Sequence, residues 1–153
     1  MFSFLNRKPK PDKRDLEQVI FDYAEHKRNE DLQLICRLMV AREVFVPIDR
    51  GSMPAAAQPG VPYVLGDEDR VLMRKVTIPN NGEWASAATQ PTHALLSNGY
   101  AGMTWIGFLK MTQKVAEIRG ALLQGTQSWI AMDKKLVANV LSTIEDREGA
   151  RDV

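Results

Sequence analysis

Between Asp15 and Ala41 the apolar residues recur at helical spacing, from Val44 they fall in short compact runs, and a long helical pattern returns only after Thr104. This change of period constrains the fold more than any other feature. A helix buries a stripe of period 3.6, whereas a strand alternates, or runs apolar when both of its faces are covered. The first part reads as two helices. One runs from Asp15 to about Arg28, with Leu16, Val19, Ile20 and Tyr23 on one face. Asp15 and Glu17 suit its positive N-terminal end. The second runs from Glu30 or Asp31 to Ala41, with Asp31 as N-cap and Leu32, Ile35, Cys36 and Met39 as its buried stripe. The short link at Arg28-Asn29-Glu30 makes the pair an αα-hairpin.

Strands follow. Val44-Phe45-Val46 ends at Pro47, Tyr63-Val64-Leu65 is a second strand, and Val71–Ile78 is a third that closes at Pro79. Asn80-Asn81-Gly82 is a turn, and Trp84–Ala88 a fourth strand. Residues 48–62, rich in Gly, Pro, Ala and Ser, form a loop long enough to carry function or to move. Thr92 to about Leu96 reads as a helical turn, and Thr104–Ile118 as a third helix stopped by Arg119-Gly120. Ala121–Gln124 and Ser128–Ala131 are two more strands. Asp133 caps a last helix from Lys134 to about Glu145 that buries Leu136, Val137, Val140, Leu141 and Ile144. The order α-α-β-β-β-β-α-β-β-α predicts one α+β domain over 15–145. Its mixed or antiparallel sheet of short strands carries the N-terminal helical hairpin and two further helices. Residues 146–153 read as a polar, frayed tail.

With 153 residues and 44% hydrophobic content the chain can bury a core without metals or disulfides. Its single cysteine, Cys36, forms no internal disulfide and sits on an apolar helical face, where cysteine acts as a small hydrophobe. Twenty Lys and Arg against 19 Asp and Glu leave a net charge of +1, which argues against a nucleic-acid partner. Residues 1–14 hold five Lys and Arg against one Asp and read as a basic flexible tail: a solvated terminus, or an arm whose Phe2/Phe4/Leu5 tip touches an anionic surface. No signal peptide or membrane span is legible, so stable membrane insertion is not expected and the expected compartment is the cytoplasm.

No catalytic constellation emerges, so the chain is not expected to be an enzyme, and no metal or cofactor is expected. His26 and His93 are far apart and outside any ligand pattern. His26 reads as a surface residue, and His93 is the one candidate acid–base group. Gly120–Thr126 has the glycine spacing of a phosphate-binding loop but lacks its lysine. Candidate contact residues lie in the loops instead: Asp49 and Arg50, the acidic turn Asp67-Glu68-Asp69, and Glu83 with Trp84 beside the Asn-Gly turn. Trp84 reads either as a binding anchor or as core, while Trp105 and Trp129 fall on faces expected to be buried.

The segment Leu38-Met39-Val40-Ala41-Arg42-Glu43-Val44-Phe45-Val46-Pro47 resembles the leucine-rich helix and Val-aromatic-Val-Pro strand of the SseB N-terminal-like domain, a family named for an enhanced-serine-sensitivity protein. The order that follows is similar over most of 15–145: a strand at Val71–Ile78, an Asn-Gly turn, Ala87-Ala88-Thr89, Ala121–Gln124, Trp129–Met132, and the helix with Leu136, Val140 and Leu141. Ala88-Thr89 stands where the family has Phe-Thr, and Met132-Asp133 where it has Asn-Pro. The resemblance implies an α+β domain without established chemistry and brings no catalytic residues. Two functions follow as expectations. One is a non-catalytic protein-binding domain whose partner is another protein, in its sharpest form a toxin or effector neutralised by an immunity protein. The other is an SseB-like regulatory or small-molecule-sensing domain linked to amino-acid metabolism. The sequence leaves the oligomeric state open.

Overall fold

The computed structural model describes residues 12–53 and 72–151. Four helices, α1 (Leu16–His26), α2 (Asn29–Met39), α3 (Trp105–Lys114) and α4 (Lys134–Arg151), accompany six strands: β1 (Glu43–Pro47), β2 (Val76–Ile78), β3 (Gly82–Ala88), β4 (Tyr100–Thr104), β5 (Gly120–Gln124) and β6 (Trp129–Asp133). The chain is a small single α+β domain with a mixed sheet and an N-terminal helical pair.

The sheet order is β4-β1-β3-β5-β6, with β2 hairpinned onto β3. Only β3 and β5 run parallel, in the register Ala85↔Ala121 to Ala88↔Gln124. The chain travels from β3 to β5 through β4 and α3, a crossover of the kind a parallel pair requires. β3 and β5 are buried along nearly their whole length, which is why both read as continuous apolar or small-residue runs rather than alternations. One sheet face, carrying Val44, Val46, Ala85, Ala87, Ala121, Leu123, Ile130 and Met132, meets the helices. At the centre of that core Trp105 and Phe108 are fully buried, with ring centroids 6.1 Å apart.

Local chemistry sets the ends of the elements. Asp15 Oδ1 accepts from Gln18 N at 2.8 Å and starts α1, and Lys27, at φ 53°, closes it in the left-handed conformation. Asp133 Oδ1 accepts from Leu136 N at 2.8 Å at the start of α4. The β2–β3 turn holds Asn80 and Gly82 at φ 63° and 79°, the left-handed values that Asn and Gly tolerate.

Several boundaries differ from the expectation. Arg28, not Asp31, occupies the N-cap position of α2, and no side chain caps it there. Asp31 is buried in the first turn, where its Oδ1 accepts from Arg14 Nη2 at 2.8 Å. Arg14 also reaches Asp22 and Asp12, at 2.9 and 2.6 Å, so it is anchored to both helices rather than part of a loose tail; residues 1–11 lie outside the described residues. The third strand is only Val76–Ile78, preceded by an isolated Met73–Ile48 bridge. Tyr100–Thr104 is a strand that was not expected. The turn at 92–96 is a short 3-10 segment, Ala94–Leu96, in which His93 Nδ1 accepts from Leu95 N at 3.0 Å. The third helix ends at Lys114, and the fourth continues through Arg151. The expected strand at Tyr63–Leu65 lies outside the described residues.

Candidate functional site

The residues expected to meet a partner do not form one described surface. Asp49 and Arg50 are exposed, and the Asp49 carboxylate is already engaged: Oδ1 accepts from Gly51 N at 3.0 Å and holds a 3-10 turn. Glu83 is exposed in β3, opposite Thr77 of β2. Asp49 N bonds Leu72 O, while Glu83 faces Thr77, so five residues of chain, roughly 16 Å if extended, separate the two places. Asp67, Glu68 and Asp69 lie outside the described residues.

Trp84 requires a correction. It is 5% exposed and its Nε1 donates to Asn81 O at 2.9 Å, so the ring packs inward and its one polar atom is satisfied. The alternation along β3 decides this. Glu83 points to solvent and Trp84 to the covered side, where its ring lies over Gly120, whose missing side chain leaves the space. The exposed tryptophan is Trp129, 51% exposed at the start of the edge strand β6, opposite to expectation. Glu83 itself lies 3.7 Å from Lys75 Nζ, which donates to Glu117 at 2.6 Å. The Lys75 ammonium lowers the Glu117 carboxyl, and the carboxylates raise Lys75 in return. This exposed network is already internally paired.

A concavity lies elsewhere, between α2 and α4, with a volume of about 450 Å³. It arises from how the helices choose neighbours. α2 packs chiefly on α1, and α4 on α3, β5 and β6, so the two leave a gap where their flanks face each other. From α2 come Leu32, Cys36 and Val40, one turn apart, with Gln33 and Arg37 beside them. From α4 come Leu136, Val140 and Ile144, again one turn apart, with Asn139 and Thr143. Val40, the C-cap residue of α2, is 42% exposed at the groove's edge. Asn29 closes one end.

Besides its aliphatic side chains the groove is lined by three amides, a hydroxyl, a thiol and a guanidinium. Its lining includes one charged side chain, Arg37, and neither a carboxylate nor a histidine. Cys36 is half-buried in the wall. Outside the groove, His26 sits exposed in the last turn of α1, and His93 is engaged in its turn. Among the described residues no group of three His, Cys, Asp or Glu could hold a metal ion, and no helix is long and apolar enough to cross a membrane.

The sequence marks one wall of the groove but not the second helix that faces it. Leu32, Cys36 and Val40 form a second stripe on α2 beside the core stripe of Leu32, Ile35 and Met39, and a helix with two apolar stripes needs two neighbours. In comparisons with known proteins, no family model, no curated protein and no solved structure matches this chain.

Proposed function

We propose that this chain is a non-catalytic protein-binding domain that acts in the cytoplasm and offers the α2/α4 groove, rather than the loops, to its partner. The observation that carries the reading is the groove itself: aliphatic walls from two helices, a rim of neutral amides and one hydroxyl, an exposed valine, and no acid–base pair. A fixed apolar surface of this kind gains free energy when a partner's apolar side chains displace water from it, at about 25 cal/mol per Å² buried. The sharpest version remains an immunity protein that neutralises a toxin or effector.

A second reading, an SseB-like domain sensing a small molecule, draws on the same volume. About 450 Å³ lies within the range of small-ligand sites, lined as those are by apolar side chains with a few polar groups. One experiment separates the two. The tagged chain is used to capture partners from its native cells, in parallel with Val40→Glu, Asn139→Glu and Arg50→Glu. Both groove substitutions stand at exposed positions, so the fold is expected to survive them, which circular dichroism checks. The protein-binding reading expects a stoichiometric partner that is lost with either groove variant and kept with Arg50→Glu. A partner kept by both groove variants, or no partner from cells that express it, overturns the reading. Thermal stabilisation of the wild type, but not of Val40→Glu, by a metabolite pool would then favour the sensing domain.

A further inference from the structure

We infer that the α2/α4 groove seats an amphipathic helix of about three turns from the partner protein, with an acidic residue of that helix placed against Arg37. The inference rests on the protein-binding reading above and adds the form and charge of what binds.

The walls decide the form. Both are helices, whose interior backbone N–H and C=O groups are spent in their own hydrogen bonds. An extended segment laid between them would bring a row of unpaired backbone groups against side chains. The amides of Asn29, Gln33 and Asn139 and the Arg37 guanidinium could answer some of these groups but not both sides of a continuous row, and the Thr143 hydroxyl is already donated to Asn139 O at 2.9 Å. A helix satisfies its own backbone and presents only side chains, as in other helix-in-groove complexes. The length agrees. From Asn29 to Val40 the lining rises about 16 Å along α2, the length of a three-turn helix. The spacing agrees too. Leu32, Cys36 and Val40 facing Leu136, Val140 and Ile144 form two rows repeating each turn, and a third helix with aliphatic residues at i, i+3 or i+4, and i+7 fits between them.

Charge decides the partner. Arg37 is the one charged side chain lining the groove; it is exposed and joins no salt bridge among the described residues. Asp12 feels its field without bonding to it. A second copy of this chain, packed groove to groove, would bring two Arg37 guanidiniums into one apolar contact with no carboxylate in either lining. A partner helix carrying an aspartate or glutamate beside its apolar stripe removes that difficulty and gains a charge-assisted hydrogen bond.

The test is a selection of displayed, randomised fourteen-residue peptides on the full chain, counter-selected against folded Val40→Glu. The expected pool repeats aliphatic residues with helical period, flanks them with Asp or Glu, and becomes helical by circular dichroism on binding. Arg37→Glu weakens the selected peptides about tenfold, and peptides with Lys in place of the acid recover binding to that variant. Iodoacetamide modification of Cys36, the chain's single cysteine, slows when peptide is bound. Selected peptides without helical period, a basic consensus, or no enrichment would overturn the inference. So would a dimer, seen by sedimentation, that Val40→Glu dissolves. If a native partner is lost with Val40→Glu yet is not displaced by the peptides, the helix inference fails while the protein-binding reading stands.

Discussion

At the scale of single residues, burial separates side chains that hold the fold from those free to meet a partner. Trp84 belongs to the first group. Trp84→Ala removes a large buried ring over Gly120 and leaves the Asn81 carbonyl without its donor, so it costs about 3 kcal/mol of stability or more. Urea denaturation reads that loss. Any loss of binding in this variant is then a loss of folded protein, and it cannot serve as a probe of contact. Ser86 is the converse. It is fully buried and its Oγ has no hydrogen-bond partner among the described residues, so the hydroxyl carries a desolvation cost with no return. Ser86→Ala is expected to leave stability unchanged or raise it by up to about 1 kcal/mol in the same assay. Neither residue's environment was legible from composition. The alternation along β3 puts Trp84 and Ser86 on one face, but only their burial in the folded chain shows that this face, too, is covered.

Among the elements, the N-terminal helical pair was the most legible, because its caps and stripes are local. Its latch was not. Arg14 lies outside both helices, yet its guanidinium bridges Asp22 of α1 and the buried Asp31 of α2, a contact that only the folded hairpin creates. Arg14→Ala leaves the Asp31 carboxylate buried without its cation and is expected to destabilise by about 2 kcal/mol at neutral pH. The pH dependence has a fixed sign. Hydrogen bonds from Arg14 hold the Asp12 carboxyl at about 2, below its ordinary 3.8, and lower Asp22 as well. Such groups bind fewer protons folded than unfolded, so their contribution is present above pH 3.8 and is lost as the pH falls toward about 2. The stability gap between wild type and Arg14→Ala, measured by urea denaturation, therefore narrows across that acid range. β4 was missed for a different reason. Tyr100–Thr104 contains Gly102 and alternates weakly at a sheet edge, so its strand state comes from pairing with β1 and not from its own residues. The end of α3 was misplaced because Val115 and Ile118 keep an apolar pattern after the helix stops. Val115 is extended, its carbonyl accepts from Lys134 Nζ, and Ile118 enters the core from a non-helical segment. Periodicity cannot distinguish those two ways of burying the same side chains.

Over the whole molecule, the α+β class followed from the change of hydrophobic period, with the sheet left as mixed or antiparallel until the parallel β3/β5 pair decided it, whereas the candidate site did not follow. The groove between α2 and α4 belongs to neither helix. It exists because each found its main neighbours elsewhere, and that is a property of the assembled fold. Two of the loop residues expected to meet a partner are already engaged, the Asp49 carboxylate in its own turn and Glu83 in the Lys75 network. The groove is the surface we propose for partners. The most direct measurement is the rate of iodoacetamide modification of Cys36, half-buried in the groove wall, in the isolated chain and in its complex with the captured partner. Occupancy of the groove predicts a rate at least several-fold slower in the complex, with the isolated rate restored in the presence of Val40→Glu. An unchanged rate in a complex shown to be intact would place the partner elsewhere on the surface and contradict the claim.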